Sequence, residues 1–292
     1  MPSRYPEKTR RIVEGGLERY FSGTNYPPQL SEPMSYSLFS GGKRFRGILV
    51  IESARIFGLA AEDVLPTACA LEYIHTYSLI HDDLPALDND DLRRSKPTCH
   101  KVYGENMAIL AGDALNTEAF NLISSSQRAD TAERIVRVIR ELASAAGAAG
   151  MVGGQVVDII SEGAAIDTDT LSYIHEKKTG ELITASVRCG GILGGANEAE
   201  LESLTRYARN LGLAFQITDD ILDVVGDTAV LGKSVGSDER KEKATFPEIY
   251  GLEVAREMAN ETVNSAKKAL EGLSGDTSVL ADLADFVCER QF

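Results

Sequence analysis

Apolar residues recur along the chain every three or four positions rather than every two, which predicts helix nearly throughout. The plainest case lies between Leu201 and Val225. There Leu204, Tyr207, Leu211, Ala214, Phe215, Ile217, Ile221, Leu222 and Val225 follow the helical period. Segments near 43–58, 64–84, 106–126, 130–149, 168–193 and 250–271 read the same way. Strand-like alternation between turns is absent. Breaks come from short clusters: NYPPQLSEP at 25–33, SGG at 40–42, GGANEAE at 194–200 and SGDTS at 274–278. None is a long linker, and no period of about twenty to fifty residues repeats. The pattern predicts an all-α fold. We expect one domain over residues 1–292, a large helical bundle whose central helices are apolar over much of their circumference.

Composition adds exclusions. Hydrophobic residues make up 43% of the 292 and charged residues 25%, as in ordinary globular proteins. The formal net charge of −14 disfavours nucleic acid and anionic membrane surfaces as partners. An anionic small molecule remains open, because basic residues can cluster and cations can bridge two anions. The four cysteines, Cys69, Cys99, Cys189 and Cys288, form no CxxC pair. That fits a reducing compartment, and Cys99 beside His100 lacks the second pair of a zinc site. No apolar run reads as long enough to span a bilayer, and MPSRYPEKTRRIVEGG lacks the apolar centre of a signal peptide. The expectation is a cytoplasmic protein.

The stretch His81–Arg94, HDDLPALDNDDLRR, carries five aspartates and ends in two arginines. A solvated acidic loop is its plain reading. Asp82 and Asp88 are six apart, roughly 120° on an ideal helix. Pro85 should end or kink the helix that arrives through LEYIHTYSLIH. We therefore expect Asp82 and Asp83 on a last helical turn, with Asp88 folded back. A second acidic group, FQITDDILDVVGD at 215–227, places Gln216, Asp219, Asp220 and Asp223 on one helical stripe. Like charges at this spacing repel, and no lysine or arginine is interspersed. Two such groups favour metal binding over a solvated face. Carboxylates without histidine or cysteine select hard cations such as magnesium.

Basic residues occur in small sets: Lys43 and Arg46 after a glycine pair where a helix should start, Arg93 and Arg94, Lys178 with Thr179, and Lys233 and Lys243. Each alone reads as surface charge. Beside two magnesium-type clusters they suggest a substrate carrying several phosphates. His75, two turns before Asp82, reads equally as a core histidine or as a donor to an anion. No GxxxxGK[ST] or GxGxxG occurs.

The ordered series GGKRFR, IHTYSLIHDDLPALDNDDLRR, PTCHKVYGE, LAGDAL, GGQVVDI, HEKKTGELI, FQITDDILDVVGD and GKSVGSDERKEKATFP resembles the trans-isoprenyl diphosphate synthases, from about Gly41 to Pro247. This resemblance implies the isoprenoid-synthase bundle with a central active-site cavity, and head-to-tail condensation of isopentenyl diphosphate with an allylic diphosphate. It implies that Asp82, Asp83, Asp88, Asp219, Asp220 and Asp223 hold Mg2+, about three ions per site, against the allylic diphosphate. Arg93, Lys178 and Lys233 would bind the same diphosphate, and Lys43, Arg46, His75 and Arg94 the second one. Thr179 and Gln216 would lie near the allylic cation, and Lys243 in a loop that closes over the site. Tyr77 and Ser78, one turn before Asp82, would form the floor of the tail cavity. A large residue there, with the DDLPALD spacer, resembles bacterial farnesyl diphosphate synthases; a geranylgeranyl synthase with the same machinery is the alternative. A regulatory subunit is disfavoured by the intact acidic clusters, and a terpene cyclase by the Lys43, Arg46 and His75 set. A homodimer is also implied. Departures are Gly47 where the family usually has proline, Ser95 in place of a glycine, and the ending ERQF, where Arg290 stands near the usual terminal basic residue.

Overall fold

A computed structural model of the chain describes residues 5–22, 26–163, 166–225 and 245–289. Lys233, Lys243 and Arg290, singled out above, lie outside the described residues. The fold is all-α, as the periodicity predicts. Helices α1 (Glu7–Ser22) and α2 (Pro28–Leu38) precede α3 (Phe45–Arg55) and α4 (Ala61–Asp82). A two-residue antiparallel ribbon, Leu92–Arg93 against Lys96–Pro97, leads into α5 (Cys99–Tyr103) and α6 (Glu105–Ser126). Then come α7 (Ala132–Ala146), α8 (Met151–Ser161), α9 (Thr168–Ile174), a π turn (His175–Gly180), α10 (Glu181–Gly194) and α11 (Glu198–Val225). The last elements are α12 (Phe246–Tyr250), α13 (Leu252–Ala269) and α14 (Ser278–Glu289).

Helices α3, α4, α10 and α11 form the centre of the bundle: α3 lies against α4 and α10, and α10 against α11. The sequence explains this position. From Val64 to Ile74 every residue of α4 is buried, and α3 is buried from Gly47 to Ala54. Helices α6 and α13 cover α4 and α11, while α7 covers α10 with the apolar stripe Val138, Leu142, Ala145 and Ala146. One cluster of buried side chains runs from Tyr5 to Val287, and a smaller one gathers Leu171, Ile217, Ile221, Phe246, Ala255 and Ala259.

Two expectations are corrected, and a third point bears on the length of the apolar runs. The stretch NYPPQLSEP reads as a break, yet most of it is the first turns of α2. Pro28 occupies the first helical position, where its missing N–H is not needed. The helix after the glycine pair begins at Phe45, so Lys43 precedes it instead of sharing its first turn with Arg46. Arg44, at φ 54°, makes the junction. Finally, residues Ala132–Ser161 as a whole are long and apolar enough to cross a membrane. The fold divides that stretch at 147–150 into helices of 15 and 11 residues, each too short to span a bilayer.

Candidate active site

The end of α4 behaves as Pro85 predicts. The helix stops at Asp82, Asp83 caps it, and the chain turns back so that Asp88 N–H donates to the Asp82 carbonyl at 2.8 Å. Asn89 supports the turn from the left-handed region, φ 51°, donating its N–H to the Leu84 carbonyl. Asp82 and Asp88, six apart in sequence, thereby share the wall of one cavity of about 770 Å³. From α11, Gln216, Asp219 and Asp220 line the same cavity. So do Lys43, Arg46, His75, Tyr77, Ser78, Arg93, Arg94, Lys178 and Thr179.

Two of the six aspartates expected to hold magnesium, Asp83 and Asp223, lie off the cavity wall. Asp83 is 3% exposed and lies off the cavity wall, its Oδ1 2.7 Å from Arg93 Nε and 2.6 Å from the Arg93 terminal nitrogen. A residue next to Asp82 on a helix points about 100° away, toward the ribbon that carries Arg93. Burial pushes the Asp83 carboxyl up to about 6, with Arg93 opposing the rise. Asp223, 4% exposed, is likewise off the wall, one turn beyond Asp219 on α11. Asp220 stays on the wall but accepts a hydrogen bond from Phe246 N–H at 2.9 Å.

The basic groups take up two regions. Lys178 sits on the π turn, a one-residue widening that is frequent at functional sites. Its ammonium is 2.7 Å from Asp158 Oδ2 and 3.8 Å from Asp82 Oδ2. Gln155, one turn before Asp158 on α8, donates to Asp82 Oδ1 at 2.7 Å. This closeness depends on Gly154, where a Cβ would lie 2.3 Å from Lys178 N. Arg94 belongs to the other region. Its guanidinium lies on Gly42, whose Cβ would fall 2.6 Å from Cζ, and it donates to the Gly41 carbonyl. Gly42 is needed twice over, since it also adopts φ 121°, and Gly41 is needed for its own positive φ, 96°. Ser95 adopts φ 62°, which accounts for the glycine common at that position in the family it resembles.

Electrostatics in this second region favour an anion. Burial pulls the Arg46 guanidinium down to about 10, still charged at neutral pH, and its Nε is buried without a hydrogen-bond partner among the described residues. Burial, then the charges of Arg46 and Arg94, hold His75 well below the ordinary histidine value, so its ring is neutral. Lys43 Nζ lies 5.1 Å from the centroid of the Phe286 ring on α14. A phosphate would supply a partner for the Arg46 Nε and further negative charge beside Arg46 and Arg94.

The carboxylates fit a hard cation. Asp82, Asp88, Asp219 and Asp220 are oxygen donors on one cavity wall, although no three His, Cys, Asp or Glu groups among the described residues close a cage. Magnesium keeps water and substrate phosphates in its shell and needs no such cage.

Three residues that the motif reading left without roles emerge from the packing. Asp158 and Gln155 are members of GGQVVDI, and a lone acid in an apolar run was the available signal. His175 is the third. Its Nδ1 is 3.2 Å from Gln216 Nε2, its Nε2 is 3.5 Å from Asp220, and its ring stacks on Phe246 at 5.4 Å.

Comparison with known proteins agrees with this geometry. The family described as polyprenyl synthetase matches residues 27–276. A geranylgeranyl diphosphate synthase of Cyanophora paradoxa is 45% identical over 98% of this chain and 95% of its own. A farnesyl diphosphate synthase of Geobacillus stearothermophilus is also 45% identical, over 96% of this chain and 95% of its own. The crystal structure of an FPP/GFPP synthase from Zymomonas mobilis superposes with a TM-score of 0.86 at 34% identity, covering 99% of this chain and 100% of that one.

Proposed function

Since the chain belongs to the polyprenyl synthetase family and is a trans-prenyltransferase, we propose that its product is all-trans farnesyl diphosphate. The reaction joins isopentenyl diphosphate head-to-tail to dimethylallyl or geranyl diphosphate and releases pyrophosphate. One observation carries the reading: carboxylates from α4 and α11, two sets of basic groups and the Tyr77 ring share a single cavity. Relatives of equal identity bear farnesyl and geranylgeranyl names, so the product length rests on Tyr77. A twenty-carbon product is the second reading.

Asp82, Asp88, Asp219 and Asp220 would hold the magnesium on which the family depends, which supplies Lewis-acid neutralisation of the departing pyrophosphate. Lys178 and Arg93 bind the allylic diphosphate, Lys178 positioned by Asp158 and Arg93 by Asp83. Lys43, Arg46, Arg94 and the neutral His75 bind the diphosphate of isopentenyl diphosphate. The allylic cation then forms beside Thr179 and Gln216, which orient it. The double bond of isopentenyl diphosphate attacks that cation, and pyrophosphate takes the proton lost in forming the new double bond. Tyr77 and Ser78 limit the room for the tail, with Ser78 tied back to the His75 carbonyl at 2.8 Å. Lys233 and Lys243 keep their expected diphosphate and closure roles within this proposal. One catalytic domain, assembled as a homodimer, is part of the same reading.

The test supplies magnesium, labelled isopentenyl diphosphate, and dimethylallyl or geranyl diphosphate, and resolves products by chain length. A fifteen-carbon main product supports the proposal. A twenty-carbon one assigns the second reading, and no condensation with either acceptor overturns both.

A further inference from the structure

Tyr77 can limit a growing chain only if its ring is held in place. Its side chain is 8% exposed, and among the described residues its hydroxyl makes no hydrogen bond. The ring is held by packing, and among the described residues its one aromatic contact is with His81, one turn nearer the aspartates. The two ring centroids lie 5.7 Å apart at an interplanar angle of 80°, the edge-to-face arrangement that aromatic pairs prefer.

His81 is itself fixed from the far side. Its Nε2 lies 3.0 Å from the Ile109 carbonyl on α6. A carbonyl only accepts, so Nε2 carries a proton and donates it. Asp113, 3.9 Å away on the same helix, favours that arrangement. The ring occupies the space above Gly112, where a Cβ would fall 2.2 Å from Nε2 and 2.4 Å from Cδ2. No side chain fits at 112 while the imidazole is there. His81 and Tyr77 both line the cavity.

We propose that His81, seated on Gly112 and tied to the Ile109 carbonyl, is a positioning residue for chain length: it braces the Tyr77 ring across the tail cavity. This rests on the reading that the cavity holds a growing prenyl tail. Product length is then set jointly by α4 and α6, through the neighbour of Tyr77 on the same cavity wall. Without the imidazole, Tyr77 loses its edge-to-face partner and gains an empty space to rotate into. A longer tail then displaces the ring more readily.

The experiment compares full-length wild type, His81→Ala, Tyr77→Ala and the double variant. It reads the ratio of twenty- to fifteen-carbon product at matched conversion with saturating magnesium. We expect His81→Ala to raise the ratio about threefold to tenfold, the range corresponding to loss of one aromatic pair. In the Tyr77→Ala background the same change should have no further effect, because the brace acts only through that ring. A general loosening of α4 would lower turnover without this dependence on Tyr77. His81→Gln, which keeps a donor for Ile109 but removes the ring, should also raise the ratio and serves if the alanine variant folds poorly. An unchanged ratio in His81 variants of an enzyme that makes farnesyl diphosphate overturns the brace alone, as does lengthening that adds to that of Tyr77→Ala. A wild type that forms no prenyl product overturns both the brace and the function on which it rests.

Discussion

Replacing Asp158 with asparagine keeps the side chain's size and an oxygen for Lys178, but removes the charge that holds the ammonium. The pair is 2.7 Å apart, with side chains 23% and 11% exposed, so it is mostly sheltered from solvent. A hydrogen bond between charged groups contributes about 1.5–3 kcal/mol net. Part of that is recoverable, because Asp82 Oδ2 waits 3.8 Å from the ammonium. Allowing ~1 kcal/mol for the retained amide and this alternative acceptor leaves about 0.5–2 kcal/mol, or roughly a 2- to 30-fold fall in kcat/KM for the allylic diphosphate. The shift harms the site twice, since Lys178 leaves its position and also pairs with a carboxylate proposed to bind magnesium. Steady-state kinetics against geranyl diphosphate, repeated across a magnesium titration, should show the fall together with a higher magnesium requirement. The KM for isopentenyl diphosphate should stay constant, because the Arg46 and His75 group is separate. Unchanged kcat/KM would refute the positioning role. An increase would show that Asp158 competes with substrate for the ammonium instead of presenting it.

Other residues give independent tests. Gly47→Pro should cost about 1–2 kcal/mol, although proline is what the family resemblance leads one to expect there. It removes the N–H that donates to buried Glu72 at 2.9 Å, against a gain of ~0.4–1 kcal/mol from a stiffer unfolded chain. Urea denaturation reads the difference, and a more stable variant contradicts the argument. His75→Gln should flatten the acid side of the stability curve. The folded-state value of His75 is depressed below its ordinary 6.5, so its contribution is intact above that pH and is lost as pH falls below it, at up to about 1.4 kcal/mol per pH unit. Denaturation at about pH 7.5 and 5.5 should separate the two proteins, and equal losses in both would place the acid sensitivity elsewhere. Asp82→Ala should lower turnover by about a hundredfold or more while the circular dichroism spectrum stays unchanged. Full activity would remove Asp82 from the metal site.

Local pattern was enough for most of the helices and for many of the residues that line the cavity. The periods around 64–84 and 201–225 became α4 and α11 because their apolar residues are too numerous to stay outside a core. Pro85 and the six-residue spacing were enough to anticipate the return of Asp88 toward Asp82. Helix α2 was hidden because prolines read as breakers unless their position within a helix is known.

What the sequence alone determined is therefore the all-α class, the placement of two carboxylate groups near helix ends, and the residue types that would meet magnesium and phosphate. Spacing along one helix carries that much, because residues within two turns have fixed relative directions. Only the tertiary structure decided which acids share the cavity and which serve other partners. Asp82 and Asp83 are neighbours in sequence, yet one lines the cavity and the other holds Arg93. The partnerships Asp158 with Lys178, His175 with Asp220, and His81 with Gly112 and Ile109 likewise join separate elements. Such contacts depend on how closely whole helices approach, through glycines at 112 and 154, and no local spacing along one segment records that distance.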